Sequence, residues 1–127
     1  MNIILPERNI TPEICVYIGS EKGKVLYMNT ESVRVTGLKA GDNILFGQDE
    51  KDECIFYLFK TEKGKGFKTQ QTQSKALMCN CVKFAKLLIE TLKPKGKKIV
   101  FTMSPKTSVV DGIEVYRMMQ IREEDML

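Results

Sequence analysis

The sequence predicts an α+β fold, a small and mostly antiparallel β-barrel or sheet with two helices, formed by two pseudo-symmetric βαββ halves. Three observations lead to this prediction. The chain has 127 residues, which suits one domain with its own hydrophobic core. Short runs rich in β-branched and aromatic residues recur between turn residues, and only two stretches have a helical pattern. The same order of elements occurs in both halves of the chain.

We predict a single domain over residues 1–127. Hydrophobic residues make up 43% of the chain and charged residues 28%, a composition typical of a folded globular protein rather than a disordered one. The predicted parts are, in order, an irregular lead-in (1–12), a first half (approximately 13–60), a basic linker (61–66) and a second half (approximately 67–121).

The first half begins with a predicted hairpin. Glu13–Ile18 and Lys24–Asn29 are rich in strand-forming residues and are separated by the polar turn GSEKGK. A helix of barely two turns, TESVRVT, follows. Asn29 or Thr30 can cap its first N–H groups, and Gly37 suits the left-handed conformation at its end.

Two further strands complete the first half. Asn43–Gln48 and Cys54–Lys60 are predicted to pair through the polar loop Asp49–Glu53. The second of these strands is apolar on both faces, and Tyr57 and Phe59 share one face, so each face should be covered. We expect burial beneath the two helices; a subunit interface on the outer face is the alternative.

The second half contains the clearest helix, Cys81–Leu92. One or two strands precede it between residues 67 and 80. A strand at Ile99–Ser104 follows, and a last strand, Ile113–Ile121, begins after the hairpin turn Asp111–Gly112. The apolar face predicted for the helix consists of Val82, Ala85, Leu88, Ile89 and Leu92.

The two halves share a sequence pattern. Lys24–Val33 aligns without a gap with Lys75–Phe84, which places two asparagines that can cap a helix in register. LKAGDNILF aligns with LKPKGKKIVF after one inserted residue, and IFYLFK aligns with IEVYRM. We interpret this pattern as a structural duplication; the alternative is coincidence between two βαββ stretches.

The segment GKVLYMNTESVRVTGLKAGDNILF, residues 23–46, resembles the swapped-hairpin (SpoVT-AbrB-like) family of AbrB-type transition-state regulators and MazE-type antitoxins. The match is best at Thr36–Asp42, between the helix and the next strand. The resemblance covers roughly residues 23–60, with a weaker second copy at 75–118. It implies a small barrel of interleaved hairpins, which one duplicated chain would complete, and binding to DNA.

The resemblance also implies where DNA would be bound. The family contacts DNA largely through arginines near the first hairpin turn and strand, and the matching positions here offer Lys22, Lys24 and, in the second half, Lys75. Lysine neutralises phosphate but lacks the planar fork that reads guanine, so we expect low sequence specificity. The family usually has proline where the strand meets the helix, whereas this chain has Asn29 and Asn80.

Lysines cluster elsewhere as well. The net charge of +4 permits contact with nucleic acid without requiring it. Basic turns beside an aromatic residue can follow a phosphate backbone, but we interpret both clusters as solubilising surface residues. The first cluster is Lys60, Lys63, Lys65 and Lys68 around Phe67, and the second is Lys93, Lys95, Lys97 and Lys98.

The sequence excludes several classes of enzyme. The chain has no histidine, so Ser–His and Cys–His arrangements are impossible, and it has no glycine-rich phosphate loop. We predict a non-catalytic nucleic-acid-binding or regulatory module of low sequence specificity, with no catalytic residue, no metal and no cofactor. The alternative is a protein–protein interaction or assembly domain that does not bind nucleic acid.

The four cysteines and the lack of long apolar runs point to a reducing, aqueous setting. Cys15 and Cys54 lie in predicted strands, and we interpret all four as reduced packing residues; zinc bound by all four is the alternative. No apolar run approaches the roughly 20 residues that a membrane span needs. We therefore predict a cytoplasmic monomer or homodimer that does not contact membranes.

Overall fold

Ten strands and two helices make up the part of the chain that the computed structural model describes, residues 1–4, 11–19 and 24–125. In chain order these are β1 (Glu13–Tyr17), β2 (Val25–Met28), α1 (Thr30–Thr36), β3 (Asn43–Gln48), β4 (Phe56–Thr61), β5 (Phe67–Lys68), β6 (Gln70–Gln71), β7 (Leu77–Asn80), α2 (Val82–Leu92), β8 (Lys98–Met103), β9 (Ser108–Val110) and β10 (Ile113–Glu124).

The strands form one antiparallel sheet that is nearly closed into a barrel. Its order is β5-β3-β4-β10-β8-β1-β2-β7-β6, and β9 adds to β10 as a short hairpin partner. Only Thr69 separates β5 from β6, so the two ends of this order are adjacent in the chain. We call residues 67–71 the closing strand. It pairs with β3 through Phe67 and Lys68 and with β7 through Gln70 and Gln71.

Alternate residues of the strands point into a single core. Ile14, Leu26, Phe56 and Met118, from four different strands, are all fully or almost fully buried. Helix α2 adds its own buried face to this core. That face consists of Phe84, Ala85 and Leu88.

Helix α1 forms where the sequence predicts it, because its end signals are strong and local. The Asn29 side-chain oxygen accepts hydrogen bonds from the backbone N–H of Ser32 at 2.9 Å and of Glu13 at 3.0 Å. The cap therefore also ties the helix to β1. Gly37 ends the helix with φ 67°, and its N–H donates to the Val33 carbonyl.

The second capping prediction is wrong. The N-cap of α2 is Cys81, which makes no side-chain capping bond, so Asn80 is not the counterpart of Asn29. The predicted apolar face of α2 is also rotated. Val82 and Ile89 are 48% and 36% exposed, and Phe84 takes a buried position instead.

Two strand predictions also need correction. Strand β4 begins at Phe56, and Cys54 lies in the preceding turn, where its N–H donates to an Asp52 carboxylate oxygen. Cys54 is therefore exposed and is not a packing residue. The sequence predicts no strand between Ser104 and Asp111, but β9 lies there and pairs with β10 across the predicted Asp111–Gly112 turn.

No helix in the described part of the chain is long and apolar enough to cross a membrane.

Candidate nucleic-acid interface

Two of the three lysines predicted to bind nucleic acid lie beyond the ends of the β2–β7 pair. Lys24 directly precedes β2, and its carbonyl accepts a hydrogen bond from the Cys81 N–H at 3.0 Å. Lys75 lies in the turn between β6 and β7 with φ 64°. Lys22 falls outside the described residues.

The structure does not bring Lys24 and Lys75 together. Strands β2 and β7 are antiparallel, with Val25 opposite Asn80 and Met28 opposite Leu77. Lys24 therefore lies beyond one end of the pair and Lys75 beyond the other. The register separates the two backbone positions by about six residues of strand, roughly 20 Å.

Three lysines from the first predicted cluster do converge. They line a cavity of about 440 Å³, which we call the basic cleft. Its lining residues are Ala40, Gly41, Asp42, Asn43, Lys60, Thr61, Lys63 and Lys68. Lys60 comes from the end of β4, Lys63 from the following turn and Lys68 from the closing strand.

The turn from α1 into β3 forms the opposite wall of the basic cleft. Thr69, which is 2% exposed, donates its hydroxyl to the carbonyls of Asp42 at 2.9 Å and Lys39 at 3.1 Å. The Asp42 carboxylate accepts the Lys39 N–H at 2.8 Å. Gly41 adopts φ 94° and donates its N–H to the Thr69 carbonyl. These bonds hold the turn against the closing strand.

Gly66 allows the closing strand to approach β3. It has φ 73°, and a Cβ atom built on it would lie 2.4 Å from the Ile44 carbonyl oxygen. Only glycine fits at that distance. The next residues pair directly with β3, Phe67 with Ile44 and Lys68 with Asn43. This contact places Lys68 in the cleft.

The cleft carries a net positive charge. Lys60 forms an ion pair with Asp42 at 3.5 Å, whereas Lys63 and Lys68 have no ion-pair partner among the described residues. Three ammonium groups against one carboxylate leave two uncompensated positive charges. Lys65, the fourth member of the predicted cluster, instead pairs with Glu62 at 3.1 Å.

The second predicted lysine cluster extends from the C-cap of α2 to the first residue of β8, and acidic residues of β10 contact part of it. The N–H groups of Lys95 and Gly96 both donate to a Glu123 carboxylate oxygen at 2.7 Å. Lys98 pairs with Glu124 at 3.1 Å. Arg122, followed by Lys98, lowers the pKa of Glu124, because hydrogen bonds to both favour the charged carboxylate.

The aromatic residue of the first cluster is used for packing. The Phe67 ring lies 5.5 Å from that of Phe46, which in turn stacks on Phe84 at 3.9 Å with an interplanar angle of 1°. Phe67 is therefore half-buried against the core and is not a free platform for stacking a base. Contacts at the basic cleft would be made by ammonium groups.

The cysteines do not form a site together. Cys79 and Cys81 are buried, and burial raises the pKa of each thiol to about 12. Cys15 is half-buried, and Cys54 is exposed in its turn. Within the described ranges, no group of three or more cysteine or acidic side chains is arranged to hold a metal ion.

No protein-family model matches the chain, and comparison with curated proteins and with solved structures finds no match.

Proposed function

We propose that the protein is a non-catalytic nucleic-acid-binding module of low sequence specificity and that the basic cleft is its contact surface. The convergence of Lys60, Lys63 and Lys68 on one cleft with a single carboxylate carries this proposal. Lysine ammonium groups that neutralise phosphates release condensed counterions, and this release supplies most sequence-independent affinity.

The side chains of the cleft also account for the low specificity. The described residues that line it include no arginine, and a lysine ammonium acts as a point charge without a planar fork. Sequence reading requires groups matched to base edges in a groove. Contacts here would therefore position a phosphate backbone.

We further infer that the chain is a duplicated, swapped-hairpin-like barrel, as its resemblance to the AbrB and MazE families implies. The strand pairings support this inference. In the first half β1 pairs with β2 and β3 with β4; in the second, β6 pairs with β7 and β8 with β10. The contacts between the halves also correspond. The first strand of the first half, β1, pairs with β8 of the second half, and the first strand of the second half, the closing strand, pairs with β3 of the first half.

Two registers add support to the duplication. Tyr27 lies opposite Met78, and these two residues are equivalent in the gap-free alignment of the halves. Leu58 lies opposite Tyr116, and they are equivalent in the alignment of IFYLFK with IEVYRM. Pairing of equivalent residues is what a local two-fold axis between antiparallel strands requires.

The function is tested by fluorescence anisotropy with a labelled 20-nucleotide DNA, single-stranded and duplex, over a series of salt concentrations. We expect binding at about 50 mM salt that weakens steeply as salt rises. The double variant Lys63→Ala/Lys68→Ala should lower the slope of log K against log salt by about 2, one for each phosphate contact.

The matched control is Lys93→Ala/Lys95→Ala, which removes the same charge from the turn between α2 and β8. It should leave the salt slope nearly unchanged. Absence of binding at low salt, or equal losses in the two double variants, would refute the cleft as a nucleic-acid interface.

A further inference from the structure

Strand β3 has an edge that is only partly paired. All six of its residues pair with β4, but on the other side only Asn43 and Ile44 pair with the closing strand. Beyond Ile44, β3 has no strand partner on that side in the part of the chain that the structure describes. An unpaired strand edge is a template for pairing with another chain.

The backbone groups at this edge can be assigned by the alternation of the strand. The Asp42 carbonyl accepts the Thr69 N–H at 2.9 Å, and the Ile44 carbonyl faces Gly66, so even-numbered residues face the closing strand. The odd-numbered residues face β4 instead, as shown by Asp49, which donates its N–H to the carbonyl of Ile55 just before β4. The N–H and C=O groups of Phe46 and Gln48 therefore point to the open edge.

An apolar groove lies directly beside this edge. It has a volume of about 190 Å³, and we call it the β3 edge groove. Leu45, Phe46 and Gln48 form one wall, and Lys83, Phe84 and Leu87 of α2 form the other. The rings of Phe46 and Phe84 stack on each other and so connect the two walls. The groove offers an added strand a place for an aliphatic side chain.

The charge beside the groove is positive. Lys83 is exposed on the groove wall and has no ion-pair partner among the described residues. The first turn of α2 contains no acidic residue to offset it. A carboxylate on the occupant would therefore find an unpaired ammonium group next to the apolar pocket.

We propose that the β3 edge groove binds an extended segment of a partner protein in which an apolar residue and an acidic residue are two positions apart, on the same face of the strand. The segment would add to the sheet through the backbone groups of Phe46 and Gln48 and place its apolar side chain in the groove. Its carboxylate would face Lys83. None of the lining residues is shared with the basic cleft, so the two surfaces can be tested by separate substitutions.

The test uses two blocked eight-residue peptides with threonine at every second position. On the other face of the strand, one peptide alternates valine with glutamate and the other alternates valine with lysine. Backbone amide shifts of the ¹⁵N-labelled protein are followed as each peptide is added. The glutamate peptide should shift the amides of Phe46 and Gln48 in a saturable way and protect them from hydrogen exchange. Lys83→Glu should weaken this binding about tenfold, since attraction becomes repulsion.

Lys86→Glu is the matched control, because Lys86 is exposed on the same helix but does not line the groove. It should leave the affinity unchanged. The proposal is overturned if the lysine peptide binds equally well, if no shift reaches Phe46 and Gln48, or if Lys86→Glu weakens binding as much as Lys83→Glu. A dimer by light scattering whose Phe46 and Gln48 amides are protected without peptide would also overturn it, because a second copy would occupy the edge.

Discussion

Gly66 shows how one residue controls the closure of the sheet. Gly64 and Gly66 both have positive φ, 88° and 73°, but only Gly66 is close to another backbone. Gly64→Ala should cost about 1–2 kcal/mol of unfolding free energy from the left-handed conformation alone. Gly66→Ala should cost a further 1–3 kcal/mol or so, because its Cβ would press on the Ile44 carbonyl. Urea unfolding of both variants measures the difference, and equal losses would contradict this account.

Asn29 and Asn80 occupy equivalent positions in the sequence alignment but differ in structure. The Asn29 side chain accepts two backbone N–H bonds and donates to the Thr11 carbonyl at 3.0 Å, whereas Asn80 provides no cap for α2. Asn29→Ala should therefore lower the unfolding free energy by about 1–2 kcal/mol. Asn80→Ala, the matched control, should change it by less than about 0.5 kcal/mol. Similar losses, measured by thermal and urea unfolding, would mean that the side-chain cap is unimportant.

At the scale of elements, local sequence signals are sufficient to predict where most helices and strands begin and end. Asn29 and Gly37 mark the ends of α1. The predicted alternation in β4 is present, but the prediction that both faces are covered holds only in part, because Phe56 and Leu58 are buried whereas Tyr57 and Phe59 are half-exposed. Strand β9 was missed because its three residues gain strand geometry only from β10. Pairing with a distant segment is not encoded in the local pattern of a short run.

The docking of α2 can be tested within one helix turn. Phe84 is 4% exposed and contacts the rings of Phe46 and Phe56, while Val82 is 48% exposed. Phe84→Ala should therefore lower the unfolding free energy by about 3–5 kcal/mol. Val82→Ala should change it by no more than about 0.5 kcal/mol. A stability loss at Val82 as large as that at Phe84 would show that the helix packs with the face predicted from the sequence.

The β3–β4 hairpin should respond to pH through Asp49 and Tyr57. The Tyr57 hydroxyl donates to an Asp49 carboxylate oxygen at 2.6 Å, and this bond, followed by the N–H groups of Asp52 and Lys51, lowers the pKa of Asp49. The same bond raises the pKa of Tyr57. The bond therefore stabilises the fold fully between the unfolded-state pKa values of Asp, about 3.9, and Tyr, about 10. This stabilisation is lost as pH falls through the lowered pKa of Asp49 or rises through the raised pKa of Tyr57.

Tyr57→Phe removes the hydroxyl and should abolish the pH dependence on the alkaline side. On the acid side it should reduce the dependence, because the N–H groups of Lys51 and Asp52 still bond to the Asp49 carboxylate. Unfolding curves of the protein and the variant should differ near neutral pH and converge below the lowered pKa of Asp49. A difference that persists in strong acid would show that Tyr57 stabilises the hairpin by packing rather than by this bond.

At the scale of the molecule, the proposed repeat is approximate. Phe46 and Phe101 are equivalent in the sequence alignment, and Phe46 lies opposite Leu58. The equivalent of Leu58 in the sequence alignment is Tyr116, so an exact repeat would place Phe101 opposite Tyr116. Phe101 instead lies opposite Gln120, four residues further along β10. The second half therefore pairs β8 and β10 in a shifted register. Such a shift cannot be read from the sequence, because it depends on how the two halves pack together.

The candidate site also depends on tertiary pairing that the sequence does not show. The lysines at 60, 63, 65 and 68 are visible as a basic run, but their convergence on Asp42 and Asn43 depends on pairing between β3 and the closing strand. The family resemblance instead pointed to Lys24 and Lys75, whose separation follows from the register of β2 and β7. Sequence proximity grouped the cleft lysines but led to their interpretation as solubilising residues, and only tertiary pairing shows which of them share a surface.

The last prediction compares these two sets of lysines directly. Lys24 and Lys75 lie roughly 20 Å apart beyond opposite ends of the β2–β7 pair, and neither lines the basic cleft, whereas Lys63 and Lys68 both line it. For the labelled 20-nucleotide DNA, Lys24→Ala/Lys75→Ala should lower the salt slope by less than about 1, against about 2 for Lys63→Ala/Lys68→Ala. The reverse order would place the interface at the hairpin ends, as in the AbrB and MazE families, and would leave the cleft lysines as solubilising residues.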